Sequence, residues 1–556
     1  MTLKPYQGQA CCILIQIIAL LLIWPIAELS IGDDWSYTKI ALDFANTGEI
    51  HYNAWGAPML GVQVWWGAGF IRLFGFSFLT VRMSGIVAAL AVGIVLYQLL
   101  IFYGLSSWDA VIGTLALTCS PIFLPRTCTF MSDVPALLLI VLFISCTAKA
   151  VNAQSIVMTA LAAICGLAAG SIRQPYWLLP LIILPTIAIL YRGHIAFAIA
   201  VTVFWIAMLL AIGMLCMWFV RQPYALVEYP LDIRSIPTKL PTGTTWRFIT
   251  CICKTSLFLL PVTVLRWRTI VDAIRNHWRL FLATIFAILF IEWTMPQDGS
   301  ERWFPWMAEI TQFGFFASNE ILIGTRPVIV SPMLCIFLSL LAVIIVGALV
   351  SAFVDNRRHI NNMQLLIVAI SLYSVFLIIR AGGNDLNDRY LLLPVALGGI
   401  LIMRLPKHSE RLSRLGIWMV AIFAVCGIAI THDFFALARA RCTAANLLMS
   451  QGIKRTQICA GIEFDGWTQL ITRGHVQSKA VPISEHIPMP SRSHLPLFWF
   501  YVAIPDVRPT YIISSSRLDM PLVATVPYSN WLPPQTSAVF IQAVATDNHG
   551  PTKGAR

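Results

Sequence analysis

The feature that most constrains this chain is a succession of apolar runs, each about 17–25 residues long, separated alternately by short basic loops and by longer loops of mixed sign. A run of that length crosses hydrocarbon as a helix and satisfies its backbone polar groups internally. Nothing reads as the alternating ten-residue strands of a membrane barrel. Composition agrees, with 58% of residues hydrophobic and 12% charged, about half the charge of a soluble domain. The expected fold is an all-α polytopic membrane protein of about 13 transmembrane helices with a small C-terminal α/β soluble domain. Spans are expected near 11–31, 82–104, 110–125, 133–150, 156–172, 176–191, 195–219, 246–265, 279–294, 328–353, 363–380, 388–403 and 415–432.

Charge orders these spans. With the N-terminus inside, the inner loops hold Lys149, Arg192, Arg266, Arg268, Arg275 and Arg279, then Arg357, Arg358, Arg404, Lys407, Arg411 and Arg414, as the positive-inside rule requires. Residues 106–109 cast no vote. The net charge of +12 is thus spread over loops and is no nucleic-acid signature. The stretch 59–71 is short for a span, and counting it as one would put every later basic loop outside. It is expected as a re-entrant or interfacial helix in a first outer loop over 32–81, beside a helix over 35–46 that stops at Gly48.

The first apolar run is too long for a cleaved signal and reads as an uncleaved anchor. The transmembrane part is expected over 1–435. The extracytoplasmic tail, 436–556, is expected to open with a helix over 436–450, followed by strands over 456–464, 508–515 and 537–545. A buried strand or docking edge is expected at 497–504, and the last ten residues read as disordered. Cysteines lie mostly within apolar runs. Cys251 and Cys253 have the wrong spacing for zinc, and Cys442 and Cys459 are a candidate disulfide pair.

Chemistry points to the stretch Ile31-Gly32-Asp33-Asp34-Trp35-Ser36-Tyr37. Adjacent carboxylates at a low-dielectric boundary push at least one pKa up unless a cation, metal or proton compensates. The topology sets three more polar segments at the same depth. These are Arg126 with Asp133, Arg173 in Arg-Gln-Pro-Tyr176, and Asn384-Asp385-Leu386-Asn387-Asp388-Arg389-Tyr390. Each has a plainer role: Asp133 caps a helix, and Arg173 and Arg389 snorkel to the interface. Carboxylates and guanidiniums meeting at the outer boundary suit transfer of a sugar from a polyprenyl phosphate. One carboxylate takes the acceptor proton, and guanidiniums stabilise the leaving phosphate. No P-loop, dinucleotide fingerprint, zincin helix or Ser-His-Asp arrangement is present.

The chain resembles a family on these residues. Its first span ending in Asp33-Asp34, its outer loop with Tyr52-Asn53 through Gly56-Ala57-Pro58, and the helix start Asp133-Val134-Pro135 are similar to the protein-mannosyltransferase type of the glycosyltransferase C superfamily. That type (glycosyltransferase family 39) includes aminoarabinose transferases acting on lipid A. The resemblance implies that Asp33 or Asp34 is the catalytic base or positions the acceptor. It implies that Asp133 sits where some members hold a divalent metal, and that Arg389 in Asp-Arg-Tyr-Leu-Leu-Leu-Pro faces the lipid phosphate, with Arg126 and Arg173 as further phosphate-binding candidates. Trp35, Tyr37, Tyr52, Asn53, Asp388 and Tyr390 are the expected acceptor- or substrate-lining residues. The expected partners are a polyprenyl-phosphate sugar and a glycan, lipid or protein acceptor, at the inner membrane. Eukaryotic members carry Asp-Glu where this chain has Asp-Asp, and no His stands beside the acids except His51 nearby.

Two other classes compete. A transporter or flippase of lipid-linked glycans would place charges inside spans, where Gln16 and Gln98 are the main polar intrusions found. A non-catalytic protein would use its tail to bind a partner.

Overall fold

A computed structural model describes residues 4–56, 59–226, 245–294, 309–315, 321–357, 363–381, 386–405, 411–486 and 502–544. Expectations for Ala57, Pro58, Arg358, Asn384, Asp385, Lys407, most of 497–504 and the last ten residues fall outside them.

The protein is a multi-pass helical bundle with a small sheet near its C-terminus. Six described helices are long and apolar enough to cross a membrane, seven if Trp267–Asn276 and Trp278–Thr294, bent by 94°, form one span. Shorter apolar helices occupy Ile156–Ile172, Gln174–Leu190 and Gln364–Arg380. The expected span 246–265 is broken into Thr245–Phe258 and Leu260–Leu265, the second carrying Pro261 in its first turn. Proline there removes an N–H that a continuing helix would need.

The first helix corrects the expectation for 11–31. It runs Pro5–Ile23 and ends in Trp24, whose φ of 52° is left-handed, just before Pro25. The residue before a proline is pushed out of the α region, so the acids do not close the span. Asp33 ends an irregular stretch over 24–33, and Asp34 opens the next helix. Arg82, buried, holds this stretch by donating to the carbonyls of Pro25 (2.9 Å), Ala27 (3.1 Å) and Leu29 (2.8 Å). Arg439 donates to Trp24 O at 2.7 Å.

Helices Asp34–Thr47 and Val62–Phe74 then pack on each other, the first stopped by Gly48 at φ +80°. At one end of the bundle Arg266 pairs with Asp109 at 3.1 Å, and Asn276 and His277 meet Asp355 at 3.1 and 3.3 Å. The expected inside loops around 106–109, 266–279 and 355–357 therefore meet at one end. The acids and arginines picked from sequence gather at the other.

The last long helix, Arg414–Ser450, runs unbroken across the expected boundary at 435. Beyond it the sheet order is Ile458–Cys459, Tyr511–Ser514, Pro534–Ala543, Leu522–Trp531, parallel in its first pair and antiparallel thereafter. Most of the expected strand 456–464 is not a strand. Gly461, at φ +92°, turns the chain into helix Ile462–Arg473. Glu463 in its first turn complements the helix dipole, and Phe464, Trp467 and Leu470 bury one face. Cys442 and Cys459 are free thiols.

Candidate active site

The two adjacent acids have different surroundings. Asp34 begins its helix and is buried, and both of its carboxylate oxygens accept backbone amides. Oδ1 takes Ile31 N–H at 2.6 Å, and Oδ2 takes Phe130 N–H at 3.1 Å. Burial pushes its pKa up to about 7, against the pull of Arg82 and those two amides. Asp34 thereby staples the first loop to the loop after Arg126. Asp33 is only half-buried, and one oxygen accepts Trp55 Nε1–H at 3.0 Å.

A charge network lies beside Asp33. Arg389 is held above its ordinary pKa: burial works against its charge, but Tyr390, Asp33 and Tyr37 within electrostatic reach outweigh it. Its Nε stands 3.7 Å from Glu309, whose other oxygen pairs with Arg126. Asp388, Arg389 and Arg173 are all close enough to act on Arg126. Arg173 pairs with Asp133 and lies over the Tyr390 ring at 4.8 Å. Asp388, fully buried, pairs with Lys254 and accepts the amides of Glu309 (3.1 Å) and Ile310 (2.7 Å). Three turns and one helix interior thus deliver four cations to one place. Arg389 has the most exposed side chain of the four, at 20% against 10% for Arg173 and 2% or less for Arg126 and Lys254.

An apolar cavity of about 590 Å³ runs between helices Thr245–Phe258, Pro332–Asp355, Gln364–Ala381 and Leu392–Met403. Its walls include Thr255, Ser374, Leu377, Pro394 and Gly398, and Arg357 lines it at the far end of the bundle. Thr255 follows Lys254 directly in helix Thr245–Phe258, and Pro394 lies one turn beyond Tyr390, so the cavity adjoins the charge network at two places.

No family model matches the chain, and no curated protein does. Two solved structures are similar to it in layout. Both are of ArnT from Cupriavidus metallidurans, at 12% identity. The apo form has a TM-score of 0.37 over 95% of this chain and 97% of that one; the form bound to undecaprenyl phosphate has 0.38 over 96% and 98%. A likeness at that level gives no residue-by-residue correspondence.

The other expected residues divide into two groups. Tyr52 is structural, donating to Met59 O at 2.5 Å and packing edge-on against Phe219. Asn53 is also committed, exchanging hydrogen bonds with the Ser36 hydroxyl (2.8 Å) and carbonyl (3.0 Å). Trp35 is fully buried, 5.3 Å from the Trp55 ring, while Arg389 lies over the Tyr390 ring at 5.8 Å with Tyr37 within electrostatic reach. The donor set expected for a divalent metal does not fit. Asp133 is taken by Arg173, Asp34 by two amides, and among the described residues no group of three His, Cys, Asp or Glu side chains converges.

Sequence reasoning missed Glu309 and Lys254. Lys254 sits within an expected span, so charge does enter a helix interior. It ends in the same network as Asp388 rather than along a path between helices.

Proposed function

We propose that this protein is a membrane glycosyltransferase that moves a sugar from a polyprenyl-phosphate donor to an acceptor hydroxyl, with inversion at the anomeric carbon. The observation that carries this reading is the cluster of Arg389, Arg126 and Arg173 about Glu309 and Asp133, with Arg389 within electrostatic reach of the half-buried Asp33 and an apolar cavity on the adjoining helices. The donor's isoprenoid chain lies in the cavity, and its phosphate meets Arg389, backed by Arg126 and Arg173. Asp33 takes the proton from the acceptor hydroxyl as its oxygen attacks the anomeric carbon. The bond from that carbon to the phosphate oxygen breaks, and polyprenyl phosphate leaves as an anion stabilised by the guanidiniums.

Of the two acids, Asp33 is the base, because both oxygens of Asp34 already hold amides. The donor set gives no reason to route a step through a metal. The acceptor is a glycan, lipid or protein hydroxyl. The site and the C-terminal unit lie on the extracytoplasmic side of the inner membrane, following the basic loops at the opposite end.

The test is transfer from a radiolabelled polyprenyl-phosphate sugar by purified protein in lipid. Asp33→Asn and Arg389→Ala are expected to lose activity while keeping the wild-type elution profile and unfolding midpoint. Full activity in both variants would remove this function.

A further inference from the structure

The C-terminal unit reaches back to the acid loop through buried contacts. Glu463, in the first turn of Ile462–Arg473, is fully buried and divides its carboxylate. Oε2 accepts from Arg441 at 2.8 Å, and Oε1 accepts the Gly32 amide at 3.4 Å. Its main-chain carbonyl accepts the Ser30 hydroxyl at 3.1 Å. Arg441, 1% exposed, is fixed in turn by two bonds to Ala460 O, at 3.0 and 2.6 Å. The residue before Asp33 is thus tied to an ion pair that belongs to the tail.

One turn along the same helix, Gly466 makes room for Trp35. A Cβ at Gly466 would stand 2.7 Å from Trp35 Cε2. Trp35 packs on Trp55, and the Trp55 indole donates to Asp33. A third tie, Val476 N–H to Asn53 O at 3.0 Å, fixes the strand of loop that carries Trp55. Two desolvated charges are a costly way to join two surfaces, and in some proteins buried polar groups of this kind fix one geometry.

We infer that the C-terminal unit is a positioning part of the site, in which Glu463 sets the backbone before Asp33 and Gly466 sets the tryptophan pair that aims its carboxylate. This rests on Asp33 being the base. A carboxylate misplaced by about 1 Å loses on the order of 10² in rate without loss of substrate binding.

Removing Glu463 alone would strand the Arg441 charge, so the test uses Gly466→Ala and the double variant Arg441→Met/Glu463→Met, in which neither charge remains. Both are expected to lower kcat by about ten- to a hundredfold with the donor KM unchanged. A second readout separates aiming from general damage. Asp33→Ala assayed with added formate as a free base is expected to give the same rate with or without Gly466→Ala. Wild-type kcat in both variants, beside an inactive Asp33→Ala, overturns this inference alone. So does an equal drop in the formate-restored rate. An Asp33→Ala enzyme as active as wild type overturns the assignment of the base and this inference with it.

Discussion

Glu309 pairs with Arg126 through one carboxylate oxygen and stands 3.7 Å from Arg389 through the other, so a single buried anion spaces two guanidiniums. Breaking a buried pair from one side leaves an uncompensated charge at a cost of about 3–5 kcal/mol. Glu309→Ala is expected to lower the thermal unfolding midpoint in detergent and to bring the two arginines into mutual repulsion. An unchanged midpoint would show that Glu309 is not their spacer.

Lys254 and Asp388 are both buried and face each other. Lys254→Met alone leaves Asp388 without the cation it pairs with and with Arg126 only within electrostatic reach, and a loss of about 3–5 kcal/mol is expected. Lys254→Met/Asp388→Asn removes both charges and is expected to recover at least half of that. Denaturation midpoints of the single and double variants give the coupling energy. Additive losses would mean that the two charges act independently.

Much of this arrangement is legible in sequence because spans alternate direction. Once the basic loops are assigned to one end, Asp33, Arg126, Asp133, Arg173 and Arg389 must come to the other, whatever their separation along the chain. Three residues escape that logic for different reasons. Lys254 lies in an otherwise apolar helix, where one cation leaves the hydropathy pattern intact. Glu309 lies between spans in a stretch with no periodicity to fix its place. Glu463 falls in a segment whose apolar residues read as a strand, and only Gly461 at φ +92° starts the helix that turns its carboxylate toward Gly32. The division of labour within the acid pair is equally hidden. It depends on which oxygen meets the amide of Phe130, a contact across nearly a hundred residues.

That contact gives a pH prediction. Burial raises Asp34 from 3.8 to about 7, so the folded protein keeps its proton over a range in which the unfolded chain has lost it. The stabilisation is fully present below about pH 4 and is lost as pH rises to about 7. Asp465, raised to about 7 chiefly by burial, acts with the same sign. Between pH of about 5 and about 8, the wild type is expected to lose more of its unfolding midpoint than Asp34→Asn, and the double variant with Asp465→Asn is expected to lose least. Parallel pH profiles for all three would refute this.

The apolar cavity yields a prediction that separates lipid binding from catalysis. Ser374 lines it and is not one of the ion-paired residues of the charge network, and a larger apolar side chain there takes up cavity volume. Filling a cavity in a helix bundle tends to preserve or raise stability when the new group fits. Ser374→Phe is therefore expected to keep the unfolding midpoint within a few degrees while raising the donor KM several-fold. It should leave kcat at saturating donor nearly unchanged, because only binding common to the ground and transition states has been removed. A donor with a shorter isoprenoid chain needs less of the cavity, so the variant's penalty should shrink with chain length. A penalty independent of chain length would place the lipid elsewhere on the bundle.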